Sequence, residues 1–176
     1  MDPIDTILED YERDIEKARQ GECKKISRCT EFRDSFKRNY QEHYKEKLAE
    51  LTGKLTARGH RAGFRESPPS DMHYGFSFYL VPRHLFSSPV DRFYPSHIQS
   101  TISFTANEHT LSIDIETVIN PNVEKVDNTM MEKIPREQFN EELLVRKIGE
   151  FMQKVFTETI ILDFRQLSGG KTDQTE

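Results

Sequence analysis

Residues 98–116 read IQSTISFTANEHTLSIDIE. Ile98, Ile102 and Phe104 alternate with Gln99, Thr101, Ser103 and Thr105; after a short polar turn at 106–110, Leu111, Ile113 and Ile115 alternate with Ser112, Asp114 and Glu116. Two runs of period two joined by a short polar turn specify an antiparallel hairpin. One face is apolar and belongs to a core, and the other is Ser, Thr and acid and meets water or a ligand. Upstream, Met72, Tyr74, Phe76, Phe78 and Leu80 alternate with His73, Gly75, Ser77, Tyr79 and Val81 until Pro82, which predicts a further strand. The loop at 83–95, RHLFSSPVDRFYP, has enough apolar content to pack down, and a half-open aromatic cleft beneath it is the alternative to burying its rings in the core.

Helical periodicity flanks this block on both sides. Phe139, Leu143, Leu144, Ile148, Phe151, Met152, Val155 and Phe156 form a broad stripe, which predicts a helix from about 135 to about 158 lying on the sheet. The run at 159–164, TIILDF, either extends it or forms a last short strand. At the other end, Asp2 can cap a helix with Pro3 in its first turn, and Ile4, Ile7, Leu8, Tyr11, Ile15 and Ala18 share one stripe until Gly21. A second helix is expected from about 30 to about 57, where Phe32, Phe36, Tyr40, Tyr44, Leu48, Leu51 and Leu55 recur at steps of four or three. Residues 58–71, with Gly59, Gly63, Pro68 and Pro69, read as an exposed loop; 120–122 is a turn and 123–126 a short edge strand.

The expected fold is therefore α+β: an N-terminal helix pair, an antiparallel sheet of three to four strands, and a C-terminal helix packed on the sheet. The divisions fall at 1–58 for the helical region, 59–71 for the Gly/Pro-rich loop, 72–165 for sheet and helix within the same domain, and 166–176 for a structureless tail.

Composition narrows the function classes. The chain has 176 residues, 35% hydrophobic and 31% charged, with twelve Phe and six Tyr, which suits one polar domain with an aromatic core. No stretch approaches the roughly 18 apolar residues of a membrane span. The acidic, amphipathic N-terminus resembles neither a secretory signal nor a basic transit peptide, so a cytoplasmic location is expected. Net charge is −5, yet residues 24–65 hold twelve Lys/Arg against five acids. Within that segment Arg58, Arg61 and Arg65 are candidate contacts to a polyanion backbone.

Catalytic signatures are sparse. The six histidines show no H-x-x-x-H or H-E-x-x-H spacing, and no G-x-S-x-G or phosphate-loop glycine pattern occurs. Cys23 and Cys29 are too far apart in sequence for a zinc knuckle and read as two half-buried thiols in a reducing compartment. The most chemical feature is Asp114-x-Glu116, two carboxylates on one strand face, with Thr101, Ser103 and Lys125 as possible neighbours. The leading expectation is a non-enzymatic interaction module, needing no cofactor or metal, such as an adaptor, a small chaperone-like protein or a subunit of an assembly. Its surface for a protein partner or a second copy is the stripe Phe32, Phe36, Tyr40 and Tyr44. A nucleic-acid-binding protein acting through 24–65 and a metal-dependent enzyme around Asp114 and Glu116 are the alternatives.

Overall fold

The computed structural model describes residues 3–67, 73–86, 99–119 and 129–168. Helix α1 (Pro3–Asn39) runs through a π-helical turn (Tyr40–Tyr44) into α2 (Lys45–Thr56). Five strands follow: β1 (Arg61–Glu66), β2 (Gly75–Val81), β3 (Ser100–Asn107), β4 (Ser112–Val118) and β5 (Thr129–Pro135). Short 3-10 segments lie at Arg83–Phe86 and Arg136–Gln138, and α3 (Glu141–Ser168) closes the described chain. The strands form one antiparallel sheet in the order β1-β2-β3-β4-β5, a simple meander.

The mixed helix-and-sheet class and the C-terminal helix agree with the sequence reading, and two parts of it are corrected. The expected helix pair is one long helix, because nothing interrupts it at Gly21 and residues 22–29, charged or small apart from Ile26, contain no helix breaker. Among the described residues the sheet has five strands rather than three to four. β1 lies in the segment read as a loop, and β5 lies between the expected edge strand and the C-terminal helix, where the sequence reading places no strand. The proposed edge strand at 123–126 and the tail from 169 onward fall outside the described residues. Residues 159–168 continue α3.

The register explains the packing. Phe76 pairs with Phe104, Phe104 with Ile115, Ala106 with Ile113 and Ile113 with Ile134, so these side chains share one face. Phe64 and Ala62 of β1 add to it opposite Phe78 and Leu80. Both helical layers lie on that face, since Phe36 stacks on Phe76 and Phe151 meets Phe78 edge-on. Phe76, Phe78, Ile102, Phe104, Ile113 and Ile115 share a single core with Leu144, Ile148, Phe151 and Val155, as their matched periodicities predict. The other face carries Ser77, Tyr79, Thr101, Ser103, Asp114 and Glu116, which are half-buried or exposed.

The π turn has a cause in the spacing. Phe32, Phe36, Tyr40, Tyr44 and Leu48 are all four apart, and each such step overshoots a full α-helical turn by about 40°. Four steps would carry the stripe well around the helix. A wider turn at Tyr40–Tyr44 recovers part of the overshoot and keeps both tyrosines on the core. The helix then ends at Gly59, whose φ of 83° is the left-handed conformation that glycine adopts without strain. There Gly59 N–H donates to Thr56 O (2.9 Å) and His60 N–H to Leu55 O (3.1 Å), a paired closure of the last turn that feeds directly into β1.

Candidate interaction surface

All four residues of the aromatic stripe lie inside this chain. Phe32, Phe36, Tyr40 and Tyr44 are each no more than 4% exposed. Tyr40 stacks on Phe76 at 4.7 Å between ring centroids and Phe36 does so at 5.6 Å, while Phe36 and Tyr44 each meet Phe139 at 5.7 Å. Burial pushes the phenol pKa values of Tyr40 and Tyr44 up, with Glu66 and Glu141 respectively adding to the effect. The rings that the sequence offers to a partner are thus spent on the chain's own sheet.

The same helix exposes a different apolar surface. From residue 7 to residue 28 every side chain of α1 is exposed apart from a half-buried Ile15. Ile7 is 67% exposed, Leu8 53%, Tyr11 63% and Ile26 58%. This arm begins where Cys29 donates its thiol to the backbone oxygen of Glu108 in the β3–β4 turn (3.1 Å). Beside that anchor is a cleft of about 230 Å³ lined by Ile26, Cys29, Lys25, Glu108 and His109 among others. The arm's polar face holds itself together through Arg13–Asp10, Lys17–Asp14 and Gln20–Glu16 contacts one turn apart. The apolar stripe is legible in the sequence; that no described residue covers it from Ile7 to Tyr11 is not.

The other candidate residues are dispersed. The basic segment 24–65 follows the helix, so Lys24 and Arg58 are separated by nearly 50 Å of it rather than forming one patch. Arg58 donates to Lys54 O (3.3 Å), and Arg61 and Arg65 stand on the outward face of the edge strand β1. Asp114 and Glu116 share the open sheet face. Asp114 accepts from Asn107 Nδ2 (2.8 Å) and lies 3.8 Å from Lys133 Nζ, whereas Glu116 is exposed opposite Ser103 and Met131. Among the described residues no group of three or more His, Cys, Asp or Glu is placed to hold a metal ion. Lys125 and residues 87–98, with the aromatic cleft considered there, lie outside the described residues. No described helix is long and apolar enough to cross a membrane.

His60 couples the end of α2 to α3. Its Nδ1 accepts the backbone N–H of Arg83 (3.2 Å), and its ring lies 5.2 Å from that of Phe156. Burial first, then the charges of Arg83, His84 and Arg58, hold its pKa below the ordinary value of about 6.5. The unfolded chain therefore binds a proton that the folded one refuses, so this contribution is complete above pH 6.5 and is lost as pH falls below it. His60→Asn keeps an acceptor but not the titration. The stability difference between wild type and His60→Asn, read from urea midpoints, is expected to shrink steadily from pH 7.5 to 5, and a pH-independent difference would refute the assignment.

The chain matches no protein-family model, and neither the curated proteins nor the solved structures contain a match to it.

Proposed function

We propose that the protein is a non-enzymatic interaction module that associates through the N-terminal arm of α1. The observation that carries this reading is the exposure of Ile7, Leu8, Tyr11 and Ile26 on a helix segment about 33 Å long. A helix with an unpacked apolar stripe has little tertiary support, because helical stability in proteins comes mostly from packing an amphipathic face. A row of large apolar side chains on an otherwise polar chain is also what helix-in-groove and helix-on-helix recognition require. The buried aromatic stripe supports the arm from below: it fixes the base of α1 to the sheet and so sets the direction in which the arm leaves the domain.

The test is site-specific crosslinking of the full chain in the expressing cell. A photoreactive side chain in place of Tyr11 is expected to give discrete protein adducts, whereas one in place of Gln20, on the opposite side of the arm, gives far fewer. The adducts at position 11 should vanish in a Leu8→Glu/Ile15→Glu background. Equal labelling from positions 11 and 20, or adducts indifferent to the double substitution, would overturn the reading.

A further inference from the structure

We propose that the arm pairs with the arm of a second copy of this chain, antiparallel, about a two-fold axis passing between Glu16 and Lys17. This rests on the arm being an interaction surface and adds the identity and direction of the partner. Three features of the arm lead to it.

The first is period. Ile4, Leu8, Tyr11, Ile15, Ala18, Glu22, Lys25 and Cys29 are separated by alternating steps of four and three. That is the seam of a two-stranded coiled coil sustained over four heptads, with Leu8, Ile15, Glu22 and Cys29 at one core position and Ile4, Tyr11, Ala18 and Lys25 at the other. The seam continues into Phe32 and Phe36, which the domain itself buries, so the exposed part ends where the domain begins.

The second is charge. Residues 3–16 hold six acids and one base, and residues 17–30 hold five bases and one acid. A parallel pair lays the acidic half on the acidic half and the basic half on the basic half. An antiparallel pair lays each on its opposite, and the boundary between the halves coincides with the centre of the heptad seam.

The third is the polar pair within the seam. In a parallel pair Glu22 faces the partner's Glu22 and Lys25 the partner's Lys25, like charges inside the interface. In the antiparallel pair Glu22 lies against the partner's Tyr11, whose hydroxyl can donate to it. Lys25 lies against the partner's Leu8, where its methylene stem packs and its ammonium reaches water. Ile15 and Ala18 meet their counterparts at the centre. On the flanks Glu12 faces the partner's Arg19 and Arg19 the partner's Glu12, two equivalent ion pairs.

Sedimentation equilibrium on the full chain tests each element. The wild type is expected to be a dimer, and Leu8→Glu/Ile15→Glu a monomer with unchanged near-UV circular dichroism, because neither side chain belongs to the domain core. Glu12→Arg and Arg19→Glu should each weaken the dimer about tenfold, by losing two exposed ion pairs and creating two repulsions. An equimolar mixture of those two variants should recover wild-type affinity, since each chain then supplies what the other lacks. In a parallel pair Arg19 faces Asp14, and mixing restores nothing; that result overturns the antiparallel arrangement and leaves the arm as the interface. A wild type that is monomeric at every concentration overturns self-pairing, and the position-11 crosslinks then decide separately whether the arm binds another protein. A dimer that survives Leu8→Glu/Ile15→Glu places self-association elsewhere and overturns self-pairing of the arm, and the position-11 crosslinks again decide separately on the arm.

Discussion

Replacing Phe36 and Tyr40 together by glutamate is expected to unfold the protein, not to release it from a partner. Both rings lie on Phe76, and both are nearly inaccessible to solvent. Their immediate surroundings are aromatic, with Tyr44, Tyr74 and Phe139 among them, and the described cations nearest this cluster are already seated on its rings, Lys37 on Tyr74 and Arg136 on Phe32. Each buried, unpaired charge costs several kcal/mol after relaxation, and the lost ring packing adds to that. Two such changes approach or exceed the ~5–15 kcal/mol by which a domain is stable. The near-UV circular dichroism signal should be lost in buffer at 25 °C, in contrast to Leu8→Glu/Ile15→Glu on the same helix. A folded double variant with a wild-type urea midpoint would show that the helix base is not part of the core.

The parts of the fold that the sequence exposes are those with one strong period and one buried face. The β3–β4 hairpin, β2 and α3 meet that condition, and their inward residues are the observed core. β1 escapes because its inward face carries Ala62, Phe64 and the charged Glu66, between arginines and beside Gly63, so its apolar alternation is too short to stand out from a loop. β5 escapes because its inward positions include Glu132 and only Ile134 is buried. These two omissions produced the misplaced interaction surface. Three strands about 4.8 Å apart give a sheet roughly 10 Å wide, room for one helix, which leaves Phe32–Tyr44 without a partner. Five strands give roughly 19 Å, room for two helices side by side, and the stripe on α1 and α2 then has a sheet of its own. The arm is the converse case. Its stripe is plain in the sequence, but whether other parts of the chain cover a stripe depends on where the helix leaves the domain, and local pattern carries no information about that.

Phe76→Ala should be the most damaging single truncation in the chain, at about 3–5 kcal/mol. Phe76 is 1% exposed and sits where the long helix docks on the sheet. It is stacked on Phe104 across the sheet (5.1 Å) and on Phe36 and Tyr40 from the long helix, with Tyr44 at 6.2 Å. Removing it leaves a cavity bounded by four aromatic rings, which are too rigid to collapse into the space, so both the transfer and the cavity contributions are felt in full. Phe64 on β1 provides the contrast. It is only half-buried and sits at the sheet's edge, so Phe64→Ala removes a side chain that water already partly reaches and leaves no closed cavity. The expected result in urea is a large drop in midpoint at unchanged m-value for Phe76→Ala and a clearly smaller one for Phe64→Ala. Equal drops would mean that the edge strand is buried as deeply as the centre, which is incompatible with a sheet whose helices meet over β2 and β3. A negligible drop for Phe76→Ala would mean that the long helix does not dock on the sheet at all, and the arm would then have no fixed base from which to project.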